Sequence, residues 1–217
     1  MQQTAVPAEN SDLVANRAAL VARGRSLEYL TIAWNTFEAA VALVSGLLAG
    51  SVALVGFGLD SVIESLSAVV LLRMLRADRD AARREAAERT ARRLVGIGFL
   101  LLAAYVTVES VRALLTRAQP ERSLPGILIA IAALIVMPLL GRAKRRVAAQ
   151  LDSRALHSDS RQADFCAYLS AILLAGLLLH AAFGWWWADP VAALVMVPII
   201  AREGVQGLRG DKCECAS

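Results

Sequence analysis

Histidine, aromatic residues, cysteine and charge are all scarce in this 217-residue chain: two His, 6% Phe, Trp and Tyr, three Cys and 19% Asp, Glu, Lys and Arg. One cysteine, Cys166, lies inside an apolar run and the others, Cys213 and Cys215, lie in the last five residues, which excludes a secreted disulfide scaffold. So little charge cannot cover an ordinary watery surface, and so much apolar residue excludes a disordered chain. Near the start, Glu9 and Asp12 stand where a signal peptide would need an apolar core, so none is expected. The net charge of +4 accompanies no recognition-module pattern, and nucleic acid is not expected as a partner.

What is abundant is hydrophobic residue, 57% of the chain, with a mean hydropathy of +0.54. The apolar runs are continuous rather than alternating, so an all-α integral membrane protein is predicted, each span taking about 20 residues to cross about 30 Å of hydrocarbon. Six transmembrane helices are expected, at about 27–49, 52–75, 94–116, 123–141, 162–183 and 189–208. Residues 1–26 are then a cytoplasmic segment, 27–209 the membrane domain and 210–217 a short tail. The first two spans turn tightly near Gly50-Ser51.

Lys and Arg near span ends are retained on the cytoplasmic side. Of the 23 basic residues, 20 fall before span one, at the end of span two or between spans two and three, between spans four and five, or towards the end of span six and after it, leaving Arg112, Arg117 and Arg122 on the other side. Both termini are therefore expected in the cytoplasm, and the Ala- and Arg-rich composition suits the plasma membrane of a bacterium. Trp185, Trp186 and Trp187 fall at the opposite turn, where an interfacial aromatic belt is expected. Residues 77–93, mixing Arg with acids on an Ala background, predict a charged surface helix, and residues 142–159 a helical connector into span five.

A carboxylate within a span costs several kcal/mol by insertion scales and points to function. Asp60 and Glu64, four apart on span two, project from one helix face. Two such groups repel unless a cation or a shared proton relieves them, an arrangement suited to a divalent cation. Glu38, with Asn35 on a similar face of span one, is either an accessory acid or a hydrogen-bonded helix contact. Glu109 has Arg112 three residues on as a structural partner. On span five, Asp159, Gln162, Cys166 and Ser170 form one stripe at i, i+3, i+7 and i+11, and His157 and Asp164 another. A Cys thiolate favours zinc-like metals and a Gln carbonyl adds a neutral oxygen, whereas a Cys read by itself is a small buried hydrophobe. Cys213 and Cys215 are either a soft-metal capture pair or an unstructured tail. Glycines 46, 50, 56 and 58 with Ser61 allow close packing of the first hairpin.

The run Gly50-Ser-Val-Ala-Leu-Val-Gly-Phe-Gly-Leu-Asp-Ser-Val-Ile-Glu64 resembles the second-span signature of the cation diffusion facilitator family. The resemblance continues through Ala104–Ser110 on span three, Asp159–Ser170 on span five and Asp189-Pro-Val-Ala on span six. It implies a six-helix divalent-metal exporter, not an enzyme, that exchanges metal for protons at a site built from Asp-x-x-x-Asp on span two and His-x-x-x-Asp on span five. Carried onto this sequence, Asp60 and Glu64 fill the first pair, while Gln162 stands where His is usual and Cys166 where Asp is usual. Metal ligands are thus expected at Asp60, Glu64, Gln162 and Cys166, with Asp159 and Asp164 as an acidic approach to the site. Zn²⁺ is favoured as cargo, with Cd²⁺, Co²⁺, Fe²⁺, Ni²⁺ and Mn²⁺ as further candidates, and no prosthetic group is expected. The family's usual cytoplasmic domain is expected to be missing, so a homodimer would form through the helices. Two other readings are a non-transporting metal-binding or scaffolding membrane protein on the same fold, and a membrane thiol enzyme using Cys166 or the Cys213/Cys215 pair.

Overall fold

The computed structural model describes residues 8–76 and 81–209. They form six α-helices: α1 (Ala8–Ala49), α2 (Val52–Arg76), α3 (Ala81–Thr116), α4 (Leu124–Leu151), α5 (Arg154–Phe183) and α6 (Ala188–Arg209). Each contains a stretch long and apolar enough to cross a membrane, in the six places expected. No strand occurs among the described residues.

Several helices outrun the predicted spans. The apolar stretch of α1 begins at Arg17 rather than at residue 27. From Ala81 the expected surface helix is continuous with the third span as α3, and residues 77–80 lie outside the described residues. The expected connector over 142–159 is not one helix. Asp152, at φ 49°, ends α4 in the left-handed region, and its N–H bonds to the Ala148 carbonyl. Ser153 then starts α5 by accepting a hydrogen bond from the Leu156 N–H. A short polar residue tolerates the left-handed conformation and a serine satisfies a free N–H at a helix start, so adjacent stop and start signals divide the segment.

Antiparallel pairs organise the bundle. Gly50, at φ 65°, reverses the chain between α1 and α2, as the sequence predicts. The two backbones touch: a Cβ on Gly46 would lie 2.8 Å from the Val55 nitrogen, and one on Gly58 3.0 Å from the Leu43 nitrogen. A Cβ on Gly96 of α3 would likewise meet the Gly204 carbonyl of α6 at 2.8 Å. Small residues at crossings are what lets membrane helices gain contact where lipid competes for every apolar surface.

The interior mixes apolar side chains such as Phe57, Met137, Leu173 and Met196 with several buried ionisable groups. The perimeter is leucine-rich, with Leu48 79% and Leu115 80% exposed. This inversion, polar groups inside and leucines outside, fits a hydrocarbon solvent. At the end of the bundle holding the first turn, the Asp189 carboxylate of α6 accepts hydrogen bonds from the Ser51 hydroxyl and from the Val52 N–H at 2.9 Å. It thereby caps α2 from another helix. The same end carries the α5–α6 turn, where Trp185 and Trp187 stack at 5.0 Å.

Candidate metal centre

Asp60 and Glu64 stand one turn apart on α2, and α5 brings Cys166 to them. Ligand atoms of the three lie within 4.8 Å of one another and all three side chains are buried. That places two oxygens and one sulfur at separations one divalent ion can bridge. Of the four ligands that the family resemblance implies, these three are brought together here. Cys166 is wholly buried, which gives an external thiol-reactive substrate no access to it in this state.

Helix α1 adds the groups that hold these side chains. Its residues Glu28, Thr31, Asn35, Glu38 and Ala42 recur every three or four positions and are all buried, forming one face turned inward. Asn35 Nδ2 donates to Glu64 Oε2 at 3.0 Å. Glu38 accepts from Trp34 Nε1 at 2.5 Å, from Ser61 Oγ at 2.7 Å and from Cys166 Sγ at 3.7 Å. Glu38 therefore joins α1, α2 and α5 beside the cluster. Ser61, expected only as a small packing residue, is one of its hydrogen-bond donors.

Gln162 lies one turn from Cys166 along α5. Its Oε1 accepts from Ser67 Oγ of α2 at 3.5 Å, and its Nε2 is buried without a hydrogen-bond partner.

The acids expected to form an approach to the site are both in ion pairs. Asp159 is paired with Lys144 of α4, whose Nζ also lies 3.2 Å from Glu28 of α1. Asp164 is paired with Arg145. No free acidic funnel is formed by these two, because α4 extends past residue 141 and carries its basic residues alongside α5. Lys144 is only 1% exposed, so the bundle holds a buried cation at a position expected in a cytoplasmic helical connector. Its signal was available: Met137, Leu140, Lys144 and Val147 continue one buried face of α4. Glu28 was missed as well, although it lies seven residues before Asn35 on the same face of α1. Glu109 meets Arg112 at 3.6 Å, as expected. Cys213 and Cys215 lie outside the described residues.

The cation efflux transmembrane domain matches this chain over residues 29–209. The chain belongs to the cation efflux family. It is a cation transporter of that kind, and the match spans all the helices that build the buried cluster. No curated protein matches the chain. For a cation efflux protein the chemistry of the cluster is apt: carboxyl oxygens and a thiol, removed from bulk water, on two different helix hairpins.

Proposed function

We propose that this cation efflux protein exports a divalent transition-metal ion, Zn²⁺ before the others, in exchange for protons. The observation that carries the reading is the buried group of Asp60, Glu64 and Cys166 across α2 and α5. A thiolate favours borderline and soft ions, and two carboxylates supply the charge that compensates a dication stripped of water. Glu38 is an accessory group, holding Cys166 and Ser61 from α1.

Proton exchange follows from ligand chemistry. Carboxylates and a thiolate bind metal only without their protons, so loading releases protons and protonation releases metal. Alternating access supplies direction: the α1/α2 and α4/α5 hairpins rock so that the site faces one side and then the other. The basic ends of the bundle lie in the cytoplasm on this reading, in the plasma membrane of a bacterium, and a helix-mediated homodimer is compatible with it.

The test is metal uptake into proteoliposomes under an imposed pH gradient, comparing Zn²⁺ with Cd²⁺, Co²⁺, Fe²⁺, Ni²⁺ and Mn²⁺. Flux is expected to require both the gradient and Asp60. Flux retained in Asp60→Asn would defeat the proposal. A second reading, metal binding without turnover, draws on the engagement of the Gln162 oxygen by Ser67. It expects tight binding and no flux in the same vesicles.

A further inference from the structure

Asn35 is fully buried on α1, and the two ends of its amide have different surroundings. Its Nδ2 donates to Glu64 Oε2 at 3.0 Å, while its Oδ1 is buried with no hydrogen-bond partner. Nearly all buried carbonyl oxygens in folded proteins find a donor, so one that does not calls for an explanation.

Three side-chain donors of α1 and α2 are committed elsewhere. Trp34 Nε1 and Ser61 Oγ both donate to Glu38, and Ser67 Oγ donates to Gln162. The group that Asn35 does touch, Glu64, belongs to a cluster of acceptors and metal-ligating atoms. An amide oxygen beside a deprotonated carboxylate finds no donor there. It is satisfied by a positive ion, for which a neutral amide oxygen is an ordinary ligand.

Gln162 has the opposite deficiency. Its oxygen accepts from Ser67 at 3.5 Å, and the end without a partner is the amide nitrogen, which cannot ligate a cation. We propose that Asn35 Oδ1, rather than Gln162, completes the cation's ligand set with Asp60, Glu64 and Cys166, so that the site is built from α1, α2 and α5 with three oxygens and one sulfur. This rests on the reading that Asp60, Glu64 and Cys166 hold the cation. The donor atoms are the same as a Gln162 carbonyl would give, but the ligand now comes from α1, which must stay in register with α2 for binding to occur.

Co²⁺ titration of the purified full-length protein in detergent tests it, with Cys213→Ser and Cys215→Ser introduced so that the tail thiols cannot contribute. The parent is expected to show a thiolate-to-Co²⁺ charge-transfer band that Cys166→Ser abolishes. Asn35→Leu is expected to alter the d–d envelope at saturation, or to weaken binding beyond the roughly 100-fold that losing an outer hydrogen-bond partner costs. Asn35→Asp, which keeps an oxygen in place, retains the parental envelope, and Gln162→Leu leaves envelope and affinity unchanged. Where Asn35→Leu does not elute as a folded species, Asn35→Thr removes the carbonyl in its stead. An Asn35→Leu envelope that superimposes on the parent with only a modest loss of affinity overturns the inference and leaves Asn35 as a positioner of Glu64. An envelope altered by Gln162→Leu overturns it too. Absence of the charge-transfer band in the parent would instead defeat the underlying assignment of the cation site, a distinct result.

Discussion

Lys144 of α4 is buried in an ion pair with Asp159 of α5, and Glu28 of α1 stands 3.2 Å from the same ammonium. Two carboxylates and one ammonium thus join three helices toward the ends where the basic residues collect, two turns along α5 from Cys166. Buried ion pairs give little net stability over a well-packed apolar replacement, yet losing one partner strands the others. Lys144→Met is therefore expected to destabilise the protein by about 3–5 kcal/mol, and the combined Glu28→Leu, Lys144→Met, Asp159→Leu variant to recover most of that loss. Thermal denaturation in detergent measures both.

Changing Cys166 should change preference rather than fold. Cys166→Ser replaces a soft ligand with a hard one of similar size, so affinity is expected to fall for Cd²⁺ and Zn²⁺ more than for Mn²⁺. Competition titrations of the purified variant give the ratio directly. An unchanged order of affinities would remove Cys166 from the ligand set.

Acidification should oppose binding. Because metal takes the place of protons on carboxylate and thiol ligands, affinity is expected to fall as pH is lowered and protons to be released on loading. Calorimetric titration in buffers of differing ionisation enthalpy counts those protons. A count of zero would contradict exchange.

Packing of the first hairpin should govern the site from a distance. A Cβ on Gly58 would lie 2.8 Å from Leu43 Cγ and 3.0 Å from the Leu43 nitrogen, and the backbone atom cannot yield cheaply. Gly58→Leu is expected to cost about 1–3 kcal/mol and to weaken metal binding, since pushing α1 from α2 parts Asn35 from Glu64. Unfolding and Co²⁺ binding, measured on the same preparation, should fall together.

The opposite end should behave independently. Asp189→Ala removes the cap on the first N–H groups of α2 and is expected to cost about 0.5–2 kcal/mol. Metal affinity should be unchanged, because Val52 and Ser51 are two turns or more from Asp60. A change in Co²⁺ affinity without a change in stability would show this separation to be false.

The spans were legible because hydrocarbon thickness imposes a length that the apolar runs obey, and the α2 pair because carboxylates at that depth are conspicuous. The Gly50 turn was legible for a similar local reason. Lys144 was not, since it sits in Arg142-Ala-Lys-Arg-Arg146 and shares the charge of its neighbours. Only the buried face continued from Met137 and Leu140, together with partners from α1 and α5, separates it from a solvated residue of a helical connector. The division at Asp152-Ser153 was obscured by good helix formers on both sides. The role of Glu38 stayed open because its donors, Trp34, Ser61 and Cys166, come from three helices, and no spacing along one helix reveals such a meeting.

Two residues alone, Gly50 and Ser51, join α1 to α2, and two alone, Asp152 and Ser153, join α4 to α5. Turns so short leave neither partner room to slide along the other, so each hairpin is one stiff lever. Asp60 and Glu64 ride on the first lever and Cys166 on the second. An ion held by all three would act as a removable rivet between the two levers.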